Sequence, residues 1–412
     1  MKIKIHRGSN EIGGTCIELS TERTTILLDL GLPLSKKDPD PDLKNIKPDA
    51  VLISHPHLDH YGLIDRLGPS TPVYIGEVGK NLIDATRKFL RKTPYLNDFR
   101  HFETWKRFPI GDFFVTPYLV DHSASDAYAF LIEAEGKRVF YSGDFRAHGR
   151  KSVVFRRIIQ KSPKNIDLLF MEGTMLGRDN SEFPTEEAVE AKILETIRAQ
   201  DNITFLISSS QNIDRVVSAY RACLKARKTL VIDLYTAWVL EQVRKKAKGV
   251  PGIGWRSIRI TDDKGQKLTL MKDQEYFGTF ARRAYRHLIT EKELTDDPAR
   301  FLVLSKMSRS RMIDKFKRDI PVNVIYSQWQ GYLKCTNEEY LGAEEIAAYR
   351  HDTMVHWVYA HTSGHATVED LQKFAKALNP KMIVPVHTEQ GGEFARHFDG
   401  VKVQQTDNVL IL

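Results

Sequence analysis

The 412-residue sequence is poor in cysteine: Cys16, Cys223 and Cys335 lie far apart and form no C-x-x-C pair. That excludes a disulfide framework and a thiolate zinc finger, and it fits free thiols in a reducing compartment. No apolar run is long enough to span a bilayer. The opening residues, Met1-Lys-Ile-Lys-Ile-His, alternate like a strand and lack the apolar centre of a signal peptide. A cytoplasmic protein with no membrane contact is therefore expected. Internal repeats and low-complexity stretches are also missing, which excludes a solenoid and a long disordered linker. Gly249-Val-Pro-Gly252-Ile-Gly254 has no strand before it and no phosphate-loop lysine, so it reads as a plain loop.

What is present is ordinary globular material with a basic excess. Hydrophobic residues make up 42% and charged residues 28%, and 61 Lys and Arg against 53 Asp and Glu leave a net charge of +8. The excess hints at a polyanionic partner. The length calls for two domains, or one domain carrying a large insertion.

One stretch organises the chain: Val51-Leu-Ile-Ser-His55-Pro-His57-Leu-Asp59-His60-Tyr-Gly62. Val51 to Ile53 reads as a short buried strand, and the turn after it carries four metal-type side chains within six residues. His55 and His57 are two apart, so extended chain places them on one face. Asp59 and His60 come a turn later and can face a second point. Imidazole and carboxylate together suit zinc and its first-row neighbours. The sequence holds only 14 His, so three in six residues mark a site rather than a chance polar loop.

Strand-like runs elsewhere end on polar residues in the same way. Asp29, His122, Asp144 and Glu172 each follow an apolar stretch, and His387 follows Met382–Val386. Strand ends collect functional groups because the sheet holds the backbone while the loop stays accessible. His55, His57 and His122 can hold one ion, Asp59, His60 and His387 a second, and Asp144 can bridge them. Two ions would share a hydroxide and stabilise both oxygens of an in-line displacement. Asp29 suits a supporting role, accepting the free N–H of a ligating imidazole. Glu172 and His365 suit a proton-donating pair. The spacing around His6, His101, His148, His287, His351, His356 and His397 predicts no ligand role.

From about residue 180 the pattern changes to alternating strands and amphipathic helices: helix 185–199, strand 203–208, helix 212–225, strand 229–234, helix 236–248 and helix 274–289. That is the mark of a parallel sheet with covering helices. The reading is an α/β protein in which residues 1–180 and 349–412 form one domain and 181–348 are inserted into it. Three basic runs fall in the insertion: Lys245, Lys246 and Lys248; Arg282, Arg283 and Arg286; and Arg309, Arg311, Lys315, Lys317 and Arg318. Such runs are commonly solvated faces, and three in one domain make a phosphate-tracking groove an equal reading. Trp329 and Tyr332 read as core aromatics that could also stack bases.

Ser54-His55-Pro-His57-Leu-Asp59-His60 resembles the H-x-H-x-D-H signature of metallo-β-lactamase-fold hydrolases, and Asp29, His122 and Asp144 fall at that superfamily's remaining core motifs. Glu172, His365 in Ser363-Gly-His365-Ala and His387 in Pro385-Val-His387-Thr-Glu389 resemble the three further motifs of the β-CASP nucleases. Asn10-Glu-Ile-Gly13, Asp121-His-Ser123 and His361-Thr-Ser-Gly-His365 are most similar to ribonuclease J-type enzymes. The resemblance covers essentially the whole chain. It implies an αββα metallo-β-lactamase sandwich with an inserted β-CASP α/β domain, two Zn2+ (or Mn2+) on the residues above, and Asp59, Glu172, His365 and Asp29 in catalysis. Ser363, His361, Arg309 and Arg311 are candidate substrate contacts.

His387 resembles RNA-cleaving members, since DNA-repair members typically carry an apolar residue there. The implied function is hydrolysis of single-stranded RNA by a two-metal-activated hydroxide, as 5′–3′ exonuclease, endonuclease or both. A DNA nuclease of the same fold, a non-catalytic RNA-binding scaffold and a small thioester or lactam hydrolase are the competing readings. Two departures stand out. Leu412 follows the last expected strand directly, so the C-terminal domain of full-length ribonuclease J enzymes is expected to be missing and a monomer or dimer is expected. Ser305-Lys306-Met307-Ser308 stands where similar chains tend to carry a Gly-rich Ser-Gln loop, which leaves 5′-end recognition open.

Overall fold

A computed structural model describes the chain except for residues 36–40, 42, 44 and 45. The expected polar loop at 36–48 therefore lies partly outside the described residues. The chain divides into two compact units, one of Met1–Ile83, Pro94–Asn180 and Ser363–Leu412, the other of Asp84–Thr93 and Ser181–Thr362.

The first unit is built on two sheets. One has seven strands in the order Val409–Ile411, Lys2–Arg7, Cys16–Ser20, Thr25–Leu28, Ala50–Leu52, Pro72–Tyr74 and Asp98–Arg100. The other has six, in the order Ile383–Val386, Leu168–Glu172, Lys137–Tyr141, Tyr128–Ala134, Phe113–Leu119 and Phe108–Ile110. The expected hairpin around Glu135-Gly136 joins two of them, with Ala134 opposite Lys137. Strand alternation explains the layering. Ile26 and Leu28 join Phe113, Phe130 and Phe170 in a core between the sheets, while Leu27 points the other way, to Tyr61, Ile64 and Ile83. On the second sheet Val139 and Tyr141 face inward and Phe140 outward, against Phe155, Leu371 and Phe374 of helices Ser152–Gln160 and Val368–Leu378. Both faces of both sheets are thus covered, which is why these strands read as continuous apolar runs. Each fully buried Leu or Phe contributes about 1.5–3 kcal/mol. The result is an αββα sandwich.

Strand direction then sets the position of the polar ends. Thr25–Leu28, Ala50–Leu52 and Pro72–Tyr74 run parallel, as do Lys137–Tyr141, Leu168–Glu172 and Ile383–Val386. Phe113–Leu119 runs antiparallel to Tyr128–Ala134, and so in the direction of Lys137–Tyr141. The carboxyl ends carrying Asp29, His55, His122, Asp144, Glu172 and His387 accordingly lie at one edge of the sandwich.

The second unit holds a seven-stranded, all-parallel sheet in the order Leu288–Ile289, Ile258–Thr261, Thr229–Ile232, Phe301–Ser305, Thr204–Ile207, Val322–Tyr326 and Val355–Tyr359. Its helices start where side chains cap them. Asn212 accepts from Arg215 N–H ahead of Ile213–Ala226, and Asp233 accepts from Thr236 N–H ahead of Leu234–Val243.

The structure departs from the sequence reading at three points, one of them the helix expected over 236–248, which runs Leu234–Val243 instead. The return to the first unit falls after Thr362 instead of after 348, because Val355–Tyr359 pairs in register with Val322–Tyr326 and extends the inserted sheet. The helix expected over 274–289 is broken. Gly278 (φ 51°) ends Gln274–Phe277, a second helix runs Phe280–Tyr285, and Leu288–Ile289 is a strand.

Candidate metal centre

Nine predicted residues, His55, His57, Asp59, His60, His122, Asp144, Glu172, His365 and His387, lie in the first unit, and most are buried. His55 Nε2 is 3.0 Å from His57 Nδ1, which is 3.3 Å from His122 Nε2. His55 Nε2 also lies 3.7 Å from Asp144 Oδ2. The same Asp144 oxygen is 3.1 Å from His60 Nε2 and 3.6 Å from His387 Nε2. Asp59 Oδ2 is 3.7 Å from His60 Nε2 and 3.8 Å from His387 Nε2. His55, His57 and His122 thus form one candidate set, and Asp59, His60 and His387 another. Tetrahedral bonds of ~2.1 Å place neighbouring donors roughly 3.4 Å apart, so these separations fit an ion in each set. Asp144 Oδ1 is buried and makes no hydrogen bond among the described residues. A buried carboxylate oxygen left in that state is costly unless a cation takes it.

The electrostatics suit the same purpose. Burial and then neighbouring imidazoles push His55 well below its usual range; burial likewise lowers His122, and brings His57 down to about 4. These three are neutral at pH 7 and offer lone pairs without losing a proton. Burial also works against His60 in its charged form, but Asp144, Asp59 and Asp29 outweigh it and hold His60 well above its usual value. Burial raises and the surrounding imidazoles lower the Asp144 carboxyl, which ends well below the carboxylate range.

Supporting hydrogen bonds aim the donors. His122 Nδ1–H donates to Gly364 O at 2.6 Å, which leaves Nε2 facing His57. Asp29 Oδ2 accepts from His60 Nδ1 at 2.7 Å, Ser54 Oγ at 2.8 Å and Tyr141 OH at 2.6 Å, and Oδ1 accepts from Ser54 N–H at 2.6 Å. With Nδ1 held as the donor, Nε2 is the nitrogen that faces Asp59 and Asp144, and it offers a lone pair once a cation takes the place of the proton those carboxylates favour. Ser54 Oγ lies 3.0 Å from His55 Nδ1 and so links Asp29 to a second imidazole. His387 Nδ1 lies 3.0 Å from Thr15 Oγ1. Asp29 (φ 58°) and His387 (φ 51°) both sit in the left-handed backbone region. That costs a non-glycine residue about 1 kcal/mol or more and persists only where the surroundings enforce it. Gly31 is required nearby: a Cβ there would lie 1.6 Å from the Asp59 carbonyl oxygen.

Glu172 and His365 are brought together, with Oε1 3.4 Å from His365 Nδ1. Glu172 is held in turn by N–H groups of Ala366 at 3.2 Å and Thr174 at 3.0 Å. Burial lowers His365, yet Glu172 and Asp144 outweigh it, so its pKa lies above the usual value.

The four candidate substrate contacts have different settings. Ser363 is buried; its Oγ accepts from His365 N–H at 3.1 Å, and its carbonyl accepts from the buried Arg146 at 2.8 Å and from His148 at 3.0 Å. His361 belongs to the second unit, with Nδ1 3.2 Å from Ser327 O. Arg309 pairs with Asp263 at 2.9 Å and lies 3.8 Å from Asp233, whereas Arg311 is exposed. The sequence reading missed Ser54, Tyr141, Thr15, Arg146 and the Gly364 carbonyl. Ser54 stands next to His55 and its hydroxyl was legible; the others carry no local signal.

The chain is similar to several known proteins. Residues 24–203 match the beta-lactamase superfamily domain, and residues 355–404 match the Zn-dependent metallo-hydrolase RNA specificity domain. Over 219 residues the chain is 29% identical to "Probable RNase MJ4" of Methanocaldococcus jannaschii, covering 48% of this chain and 50% of that one. It is 21% identical to "Ribonuclease J" of Mycoplasma genitalium, over 94% of this chain and 68% of the relative. It is 22% identical to an "RNase J-like protein" of M. jannaschii, over 94% and 92%. The chain thus spans about half the length of the first of these relatives. A solved protein of unknown function from Enterococcus faecalis superposes with a TM-score of 0.78 at 20% identity, over 100% of this chain and 99% of that one, and shares the fold.

Proposed function

The chain belongs to the β-CASP metallo-hydrolases of the ribonuclease J type, and from that premise we propose that it is a metal-dependent ribonuclease cleaving phosphodiester bonds of single-stranded RNA. The observation that carries the reading is the placement of Asp144 between two imidazole sets, with His365 Nδ1 3.8 Å from the same carboxylate oxygen. A hydrolytic site thereby has an acid next to its ligand cluster.

His55, His57 and His122 would hold one ion and Asp59, His60 and His387 a second, with Asp144 shared. When bound, two divalent ions such as Zn2+ or Mn2+ lower the pKa of water toward ~7 and stabilise the oxygens of an in-line displacement. The residues around them do the rest. Asp29 holds the His60 tautomer, and Gly364 O holds that of His122. Glu172, fixed by backbone N–H groups, keeps the proton on His365, and His365 delivers it to the leaving oxygen. The names of the relatives support RNA over DNA, and so does a histidine at position 387.

The test is a time course on end-labelled RNA and the matching DNA strand, with 5′-phosphate or 5′-hydroxyl. Cleavage of RNA with DNA left intact supports the reading, and preference for DNA overturns it. Shortening of products from the 5′ end assigns exonuclease action, and internal fragments assign endonuclease action.

A further inference from the structure

The three basic runs of the second unit do not share one fate. The run at 309–318 is largely neutralised by acids. Arg309 meets Asp263 and Asp233, Lys315 meets Glu291, and Lys317 lies 2.6 Å from Asp352. The other two converge. Lys245 and Lys248, which follow helix Leu234–Val243, and Arg283, on helix Phe280–Tyr285, line one open cleft of about 250 Å³ together with Arg244, Ile253 and Glu241. Four cations face one acid there, and that acid already pairs with Arg283 at 2.5 Å.

Lys245, Lys248 and Arg283 are exposed, and so are Lys246, Arg256, Arg282 and Arg286 nearby in sequence. Arg244 is different. Its guanidinium reaches the carbonyls of Val250 and Lys248 and lies 5.1 Å from the ring of Trp255, which is half-buried and packs on Tyr220. The cleft therefore has exposed cations at its rim and one cation, Arg244, held by carbonyls and a neighbouring ring. That combination suits a sugar–phosphate backbone, because cations that meet phosphates read no base edge and accept any sequence.

We propose that this cleft is an RNA-docking surface of the second unit, binding the backbone of single-stranded RNA without sequence preference. The proposal rests on the ribonuclease reading for the nature of the polyanion. Neutralising two phosphate contacts removes about 1.4 from the salt slope, and at ~0.1 M salt it weakens binding roughly 25-fold.

The experiment compares Lys245→Gln/Lys248→Gln with the parent chain in two arms. In an Asp59→Ala background, which blocks turnover, fluorescence anisotropy follows a labelled 20-nucleotide RNA from ~50 to ~200 mM salt, with poly-glutamate as a second ligand. In the cleavage-competent background, kcat/KM is measured on a trinucleotide and on the 20-mer, and melting curves establish that the variant folds. A lower salt slope and weaker binding to the 20-mer, with the trinucleotide cleaved as before, bear the proposal out. An unchanged slope overturns it, as does equal loss on both RNA lengths, or loss of poly-glutamate binding with RNA binding intact. If the parent cleaves no RNA, the ribonuclease reading fails, while the anisotropy arm still reports on the cleft.

Discussion

Replacing Asp29 by Asn tests whether the supporting hydrogen bonds, and not the ligands alone, set metal affinity. The Asp29 carboxylate is fully buried and accepts four hydrogen bonds at 2.6–2.8 Å from Ser54 N, Ser54 Oγ, Tyr141 OH and His60 Nδ1. Asn has the same shape and tolerates the left-handed backbone at φ 58°, so the change is almost purely electronic. Three of the four donors converge on Oδ2, and the amide replaces one oxygen by an NH2 group. Hydroxyl protons of Ser54 and Tyr141 can rotate away. The His60 ring can accept from the amide only by moving its proton from Nδ1 to Nε2. That proton then occupies the lone pair aimed between Asp59 and Asp144. Losing such a support typically costs about 10–100-fold in metal affinity, or ~1.4–2.7 kcal/mol. Loss of a charge-assisted bond adds about 1.5–3 kcal/mol of destabilisation. Competition with a chelator of known affinity, followed by elemental analysis, measures the first quantity, and denaturant unfolding of the metal-free protein measures the second. On the proposed two-ion reading, binding at Asp59, His60 and His387 should weaken most, and binding at His55, His57 and His122 less, through Ser54 alone. An affinity at the His60 position unchanged from the parent would refute the tautomer argument.

Four further outcomes follow from the same geometry. Asp59→Ala should lower cleavage at least about a thousandfold, several kcal/mol of transition-state stabilisation, with the fold intact by circular dichroism; a variant that stays active removes the metal mechanism. His387→Ala should lower metal content from about two ions per chain toward one, because it deletes a donor 3.6 Å from Asp144 and 3.8 Å from Asp59; unchanged content by elemental analysis would contradict this. Glu172→Gln tests the acid. His365 must be protonated to act and its pKa is raised, so activity falls as pH rises through that raised value. Removing the Glu172 charge lowers the His365 pKa and moves the alkaline limb of the kcat profile to lower pH, and an unmoved limb assigns the proton to another group. Gly31→Ala should destabilise the first unit by about 3 kcal/mol or more, since the added Cβ would overlap the Asp59 carbonyl oxygen, and an unchanged denaturation midpoint would disprove the close approach.

How much was legible beforehand depended on the range of the physics involved. The 55–60 cluster, the polar residues at strand ends and the β-α-β-α texture after 180 are local. They follow from side-chain alternation, helix periodicity and turn chemistry, so an α/β protein with an insertion and the candidate ligands could be read from order alone, whereas the αββα arrangement was an expectation from the resemblance of the motifs. The break at Gly278 was local too, but its positive φ outweighed a helical spacing that continued on both sides. The boundary near 362 was not local. Val355–Tyr359 carries no mark of the sheet it joins, because a parallel pairing with Val322–Tyr326 is chosen by burial in the assembled sheet.

The sequence by itself determined which side chains are the candidate ligands: His55, His57, Asp59 and His60 share one turn, and the backbone after a strand leaves them few places to point. Tertiary structure alone decided what holds them and which charges stay free. Asp29 reaches Tyr141 across 112 residues of sequence, and Ser363 rests on an arginine 217 residues before it. In the same way, Arg309 is neutralised by Asp263 while Lys245 and Lys248 share a cleft with Arg283. Hydrogen bonds and ion pairs act over a few ångströms in space whatever the separation along the chain, so only the folded arrangement could sort them.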